Sequence, residues 1–180
     1  MKIVSRLAVI VAIVLTTFIA AAKIARADEK VTLSDMHVCC KGCMMAIQGA
    51  ATKVPGVKCV ASEDDGNAVV TADSKEALQK AVDEIAKAGF NGTSDNPQIK
   101  IEPIKTSDGK VQKLEISHIH NCCGKCTVAL KDAVKDVPGV TSNTLEAKKT
   151  SFVVEGNFSP ADLVNSLMKA GFHPEIKEAK

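Results

Sequence analysis

Six of the seven cysteines in this chain stand in two short clusters, and they are the residues best suited to chemistry. Each cluster has two adjacent cysteines, a third cysteine three positions after the second, and a histidine two positions before the first. The residues are His37, Cys39, Cys40 and Cys43 in the first cluster and His120, Cys122, Cys123 and Cys126 in the second. Thiolates without hard oxygen ligands select Cu(I), Zn(II) or similar thiophilic ions over calcium and magnesium. The spacing therefore favours two soft-metal sites.

Two other uses of sulfur fit the same residues. A C-x-x-C pair also occurs in thiol–disulfide oxidoreductases, and cysteines exported to an oxidising compartment often form structural disulfides. The oxidoreductase is the less favoured alternative, because the surrounding sequence lacks the thioredoxin pattern and the chain contains no tryptophan to precede the pair. A disulfide-stabilised interaction module is the third possibility.

Length and composition limit the remaining functions. The chain has 180 residues, which is enough for one or two small domains and too short for a large enzyme. Four of its 23 basic residues lie in the first 27 positions, which hold no acidic residue, so 19 basic residues face 21 acidic ones in the rest. A nearly neutral surface with few aromatic side chains offers neither the charge nor the stacking platform that nucleic acid needs. Nucleic acid is therefore not an expected partner.

The first 27 residues have the pattern of an export signal. A basic start is followed by an uncharged run over Leu7–Ala22 and by the small-residue site Ala25–Ala27. Cleavage there would leave residues 28–180, and the periplasm is the expected location. The alternative is an uncleaved anchor, although 16 uncharged residues fall short of the roughly 20 that span a bilayer. The membrane is an expected partner only in that second case.

Most of the remaining sequence is a duplication. A shift of 83 positions superposes the two cysteine clusters and lays Val54–Val57 on Val137–Val140, both of which read V-P-G-V. Over 40 aligned positions, 13 are identical. After a slip of one residue, Lys87–Phe90 matches Lys169–Phe172, both of which read K-A-G-F. Two copies of one domain are therefore predicted.

Each copy shows the periodicities of a strand, a helix, two strands, a second helix and a closing strand. The first strand ends at the cysteine cluster, and the first helix begins at the third cysteine, where apolar residues recur at helical spacing. Asp73 with Glu76, and Ser159 with Asp162, predict the N-terminal caps of the second helices. This βαββαβ order, present twice, predicts an α+β protein with two ferredoxin-like domains in tandem after the signal segment.

The closing strands and a polar linker set the predicted domain limits. The strands are expected near Gln98–Glu102 and His173–Lys177, and Thr106–Gly109 supplies the linker. The first domain then covers 28–104, the linker 105–111 and the second domain 112–180.

Each cysteine cluster lies where a strand is followed by a helix. Cys40 and Cys123 are predicted in an exposed loop, and Cys43 and Cys126 in the first helical turn. Because a helix N-terminus favours negative charge, these thiols should have a lower pKa than free cysteine. Such thiolates can serve as ligands of a soft metal or as nucleophiles.

These features together resemble the heavy-metal-associated domain family. The shared features are a C-x-x-C at a helix start, the V-P-G-V after that helix, the βαββαβ order and a closing A-G-F, and they cover about 31–102 and 112–177. The family includes copper chaperones, amino-terminal modules of copper-transporting ATPases and periplasmic mercury-binding proteins. The resemblance implies a non-enzymatic protein with about one ion per domain, Cu(I) being the first choice and Zn(II) or Hg(II) the alternatives. It also implies a metal acceptor, such as a metal-transporting ATPase, as a partner.

The clusters depart from the family pattern G-M-T-C-x-x-C at three positions. By resemblance, the ligands are Cys40, Cys43, Cys123 and Cys126. Here a histidine replaces the glycine, Val38 or Asn121 replaces the methionine, and Cys39 or Cys122 replaces the threonine. A third thiol would favour a trigonal site, and the histidine would complete a Cys3His set of the kind that binds zinc. Because neighbouring residues of an extended chain point in opposite directions, the loop must fold for adjacent cysteines to converge.

Several residues outside the clusters have simpler explanations. Cys59 has Ser142 at the matching position and is expected to be a buried strand thiol. His118 has no histidine counterpart in the first copy and is a further candidate ligand. Phe90 and Phe172 are expected to pack in the core, although the resemblance implies that their loop lies beside the metal site.

Overall fold

The computed structural model describes residues 28–178, so the predicted signal segment over 1–27 lies outside the described residues. Each half of the described chain contains a strand, a helix, two strands, a helix and a strand, in that order. The first half consists of β1 (Glu29–Ser34), α1 (Lys41–Ala51), β2 (Lys58–Ser62), β3 (Asn67–Ala72), α2 (Lys75–Lys87) and β4 (Thr93–Ser94). The second half consists of β5 (Val111–Ser117), α3 (Gly124–Lys135), β6 (Val140–Asn143), β7 (Phe152–Phe158), α4 (Pro160–Lys169) and β8 (Glu175–Glu178).

Both halves form a four-stranded antiparallel sheet. The strand orders are β2-β3-β1-β4 and β6-β7-β5-β8, so the first strand of each half lies in the middle of its sheet and beside the last strand. The two helices of each half pack against each other. This is the ferredoxin-like arrangement, and the predicted α+β class with two βαββαβ units is confirmed.

The core of each half follows from the periodicities of the sequence. Val31 and Leu33 alternate along β1 with side chains that face away from the core, and both are fully buried. Leu114 and Ile116 occupy the same positions in β5 and are also fully buried. Each first strand therefore runs through the core and directs the chain into the cysteine cluster that follows it.

The closing strand of the first half differs from its prediction over Gln98–Glu102. The strand is Thr93–Ser94, which pairs with the end of β1. Beyond the strand, the Asp95 backbone N–H still donates to the Thr32 carbonyl at 3.1 Å, whereas the Thr32 N–H donates to the Asp95 carboxylate at 2.9 Å instead of to the Asp95 carbonyl. Ile99 is then buried in the core without belonging to a strand. The apolar residues at 98–102 correctly predicted a buried position. The strand that they also predicted does not form there.

One of the two predicted helix caps is also displaced. The N-cap of α2 is Ser74, whose hydroxyl oxygen accepts a hydrogen bond from the Ala77 N–H at 3.2 Å, so the prediction of Asp73 was wrong by one residue. Ser159 caps α4 as predicted, accepting from the Asp162 N–H at 3.3 Å. Within residues 28–178, none of the helices has the length and apolarity needed to cross a bilayer.

Candidate metal centre

The two cysteine clusters meet at one place between the halves. The Sγ atom of Cys39 lies 3.6 Å from that of Cys123 and 3.5 Å from that of Cys126. The Sγ atoms of Cys40 and Cys122 lie 3.5 Å apart. Cys43 joins both sets, since its Sγ atom lies 3.8 Å from that of Cys122 and 3.9 Å from that of Cys126. The six sulfurs form one group, which we call the sulfur cluster: the Sγ atoms of Cys39, Cys40, Cys43, Cys122, Cys123 and Cys126.

Adjacent cysteines converge within each half. The Sγ atoms of Cys39 and Cys40 each lie 3.7 Å from that of Cys43. In the second half, Cys122 and Cys123 each lie 3.8 Å from Cys126 in the same way. The loop before each helix therefore folds so that the third cysteine contacts both of its predecessors, which the sequence could only state as a requirement.

The helices α1 and α3 place the third cysteines at the base of the cluster. Cys43 shares the buried face of α1 with Ile47 and Ala50, at the spacing of one helical stripe. Cys126 has the same position in α3, and both third cysteines are fully buried. Both helices begin directly after the second cysteine, earlier than predicted, so Cys40 is an N-cap residue rather than a loop residue. The first two cysteines of each motif are half-buried at the rim.

Both histidines of the clusters are packed on phenylalanines from the opposite half. The ring of His37 stacks on Phe172 with a centroid distance of 4.6 Å, and the ring of His120 lies 4.2 Å from Phe90. The Nε2 atom of each histidine is buried and has no hydrogen-bond partner among the described residues. A buried nitrogen without a partner costs about 1–3 kcal/mol, so its presence twice at a sulfur cluster points to a ligand that it binds.

The histidines complete ligand groups that cross between the halves. Ligand atoms of His120, Cys43, Cys122 and Cys126 all lie within 4.8 Å of one another, although Cys43 belongs to the other half. His37 forms a similar group with Cys39 and Cys126. All eight residues that the sequence singled out are thereby gathered at one centre, where the sequence predicted two separate ones.

Two glycines allow the halves to approach this closely. A Cβ atom at Gly89 would overlap the backbone of His120, and one at Gly171 would overlap the backbone of His37. Both glycines have positive φ, +88° and +85°, which a residue with a side chain adopts only with strain. The repeated K-A-G-F segment therefore serves the contact between the halves as well as the core.

Backbone hydrogen bonds join the same two segments. Phe90 and Phe172, both fully buried, form an antiparallel bridge between the halves. The Asn91 N–H donates to the Gly171 carbonyl at 3.0 Å, and the His173 N–H donates to the Gly89 carbonyl at 3.1 Å. The K-A-G-F repeat was the signal for this interface, but the sequence offered no means of seeing that the two copies pair.

Two residues beside the cluster were not predicted to act there. The Lys125 Nζ donates to the Cys39 carbonyl at 3.1 Å and lies 3.5 Å from the Glu63 carboxylate, so it ties α3 to the first half. The buried side chain of Asn121 donates to the Glu146 carbonyl at 2.9 Å and accepts from the Thr127 hydroxyl at 2.8 Å. These bonds fix the backbone that carries the second cluster.

Most thiols with a shifted pKa ionise less easily than free cysteine, and for Cys43 this contradicts the prediction. Burial raises the pKa of Cys39 strongly and that of Cys122 to about 12. The hydrogen bond with Cys126, followed by burial, raises the pKa of Cys43. Cys123 follows the prediction, because a hydrogen bond from the Cys126 backbone N–H lowers its pKa to about 7. Closely packed thiols resist ionising together because their negative charges would repel one another. A bound cation would offset that repulsion and favour the thiolates.

Two candidate residues lie away from the cluster. Cys59 sits in β2 opposite Val70, and burial raises its pKa to about 11. His118 is exposed, and its Nδ1 lies 2.9 Å from the Glu175 carboxylate. Neither belongs to the ligand groups found within residues 28–178.

No protein-family model matches this chain. Among solved structures, it is similar to the N-terminal soluble domains of Bacillus subtilis CopA, with 16% identity over 84% of this chain and 95% of that one and a TM-score of 0.33. The water-soluble region of the P-type ATPase CopA from Bacillus subtilis shares 16% identity over 84% of this chain and 93% of that one, with a TM-score of 0.30. The first two RRM domains of the yeast poly(U)-binding protein Pub1 share 15% identity over 84% of this chain and 100% of that one, with a TM-score of 0.24. At these TM-scores none of the three bears on the function of this chain.

Proposed function

We propose that this chain is an exported, non-enzymatic protein that binds thiophilic metal ions for scavenging or delivery. The observation that carries the proposal is the sulfur cluster itself, with its sulfur–sulfur contacts of 3.5–3.9 Å and two buried imidazole nitrogens. Four sulfurs held about 2.3 Å from one ion lie roughly 3.8 Å apart, so contacts of this length suit metal coordination.

The donor set favours Cu(I) as the cargo. All ligand groups at the cluster consist of cysteine and histidine, without a carboxylate. Soft thiolates favour Cu(I), and three cysteines with one histidine also suit Zn(II). Zn(II) and Hg(II) are therefore the competing ions.

Delivery would proceed by exchange of thiol ligands with an acceptor. Cys40 and Cys123 are half-buried at the rim, where a thiol of a partner could reach the metal. A metal-transporting ATPase is the kind of acceptor that we propose. The export pattern at the N-terminus supports a periplasmic location, where the bound metal would also protect the thiols from oxidation.

A thiol–disulfide oxidoreductase is the second candidate function, and the lowered pKa of Cys123 favours it. A thiol with a pKa near 7 is a competent nucleophile at neutral pH. Insulin reduction would separate the two functions. We expect no turnover above a thiol-only background, whereas efficient turnover that is lost in Cys40→Ser/Cys123→Ser would favour the oxidoreductase.

Metal uptake by reduced protein tests the main proposal. Protein purified without oxygen should contain metal by elemental analysis and should protect its thiols from a thiol-counting reagent. Replacement of all six cluster cysteines by serine should abolish Cu(I) uptake from a competing chelator, while Cys59→Ser should leave it unchanged. If fully reduced protein takes up none of Cu(I), Zn(II) and Hg(II), the proposal is wrong.

A further inference from the structure

The ligand groups at the cluster overlap. Four groups of ligand atoms lie close enough to hold an ion each, and between them they use all six cysteines and both histidines. The groups are Cys43, His120, Cys122 and Cys126; His37, Cys39 and Cys126; Cys39, Cys40 and Cys43; and Cys40, Cys122 and Cys123. Every sulfur except that of Cys123 belongs to two groups. The groups therefore cannot be filled independently, but they can be filled together by thiolates that bridge two ions.

We propose that the two cysteine motifs build one polynuclear Cu(I)–thiolate centre across the two halves, which holds up to four ions. The inference rests on the proposed function, and it replaces the expectation of one ion in each domain. Each thiol that binds releases its proton to solvent, and copper enters and stays as Cu(I). A thiolate sulfur has more than one lone pair, so it can bridge two such ions.

Distances within the cluster leave no boundary between two sites. The shortest sulfur–sulfur contacts, at 3.5 Å, run between the motifs: Cys39 to Cys126 and Cys40 to Cys122. Contacts between the motifs span 3.5–3.9 Å and contacts within one motif span 3.7–3.8 Å, so the two sets overlap. An ion bound by the sulfurs of one motif would therefore lie beside sulfurs of the other.

Charge is compatible with four ions at this centre. Six thiolates with four Cu(I) ions would leave a net charge of −2, whereas a thiol that binds no ion keeps its proton and adds no charge. The N-termini of α1 and α3 both lie at the cluster and favour the negative charge that remains.

The contact between the halves holds the centre in place. His120 contributes to a group that includes Cys43 of the first half, and His37 to a group that includes Cys126 of the second. Each histidine is positioned by a phenylalanine of the opposite half. A half on its own would therefore lack both its neighbour's sulfurs and the ring that orients its histidine.

Copper titration with X-ray absorption tests the shared centre. Reduced protein is titrated with Cu(I) without oxygen, and the loaded protein is examined for copper–copper scattering. We expect copper–copper scattering and more than two ions per chain by elemental analysis. Absence of copper uptake, or of copper–copper scattering in saturated protein, would overturn the shared copper centre; failure to take up any of Cu(I), Zn(II) and Hg(II) would also overturn the proposed function.

Single substitutions of the half-buried cysteines provide a second test, because they leave the fully buried Cys43 and Cys126 in place. Cys39→Ser removes a sulfur that contacts both Cys123 and Cys126, so it should weaken copper binding by the whole centre and reduce the copper–copper signal. Cys122→Ser should do the same, and Cys59→Ser is the matched control. If Cys39→Ser removes one ion and leaves a second with wild-type affinity, the motifs act separately and the inference is wrong.

Discussion

At the scale of single residues, the most informative atoms are two imidazole nitrogens that have no hydrogen-bond partner among residues 28–178. They are the Nε2 atoms of His37 and His120, which are buried, and the two rings pack on Phe172 and Phe90. A histidine with a structural role would be expected to use both ring nitrogens in hydrogen bonds. The orphaned nitrogens therefore favour the proposed ligand role over one of only shaping the loop.

The first prediction concerns His120→Phe. The new ring can pack against Phe90 and removes a buried polar atom, so metal-free protein should be more stable by about 1 kcal/mol in urea unfolding. Loss of the donor should lower the affinity for Zn(II) and Cu(I) by about tenfold or more in chelator competition.

The control for this variant is His118→Ala, because His118 is exposed and pairs with Glu175. That change should leave metal affinity within error of the parent protein. A destabilised His120→Phe protein with unchanged metal affinity would identify His120 as a structural residue.

A second prediction at this scale uses Cys59, whose pKa is raised to about 11 by burial. Only the thiolate reacts with iodoacetamide, so a raised pKa means slow alkylation at neutral pH and a rate that increases as pH rises towards 11. In metal-loaded protein, mass spectrometry should therefore find one slowly alkylated cysteine, and Cys59→Ser should abolish that reaction. Rapid alkylation of Cys59 at pH 7 would contradict its partial burial in β2.

At the scale of elements, the first helix of each half acts as the platform of the centre. The apolar stripe that fixes Cys43 on the buried face of α1 is readable from sequence, and so is the equivalent stripe for Cys126 in α3. The segment at 98–102 was harder to predict, because Ile99 is buried without strand pairing and the Asp95 carboxylate accepts the Thr32 N–H that a further strand residue would bind through its carbonyl. Periodicity reports burial, whereas strand pairing depends on a partner that is distant in sequence.

The third prediction tests the close approach of the two K-A-G-F segments. Gly171→Ala introduces a methyl group that overlaps the His37 backbone, so the halves should separate and the copper–copper signal should fall. Small-angle scattering should report a larger radius of gyration.

Gly109→Ala is a matched control for the backbone strain. Gly109 also has positive φ, +91°, but a Cβ there meets no atom within 4 Å. Both variants should lose about 1–2 kcal/mol from left-handed backbone strain, and only Gly171→Ala should change the scattering and the copper centre. Equal behaviour of the two variants would show that the glycine contact does not hold the halves together.

At the scale of the whole molecule, the candidate ligand groups join the two similar halves at one centre. Neither half contains the full set of groups at the centre, since the groups around both histidines draw cysteines from the opposite half. Metal binding and docking of the halves should therefore be thermodynamically linked: metal favours the docked state, and docking raises metal affinity.

The fourth prediction follows from this linkage. Cu(I) loading should raise the unfolding temperature of both halves together, with a gain of about 2.7 kcal/mol when free metal is 100 times the dissociation constant. Hydrogen exchange should slow in the first turns of both α1 and α3, and a strong chelator should reverse the effect. Protection confined to one half would indicate that the halves bind metal separately.

The sequence alone determined the local features of this protein: the duplication, the βαββαβ order, and the cysteines and histidines that a soft metal would select. Those features are encoded in residue type and short-range spacing, which periodicity and motif analysis can detect. Only the tertiary structure decided that the two clusters form one centre, because this depends on Gly89 and Gly171 packing against backbones far away in the chain. A contact between two folded domains leaves no periodic signal in either of them, so the pairing of the motifs could not be predicted from their spacing.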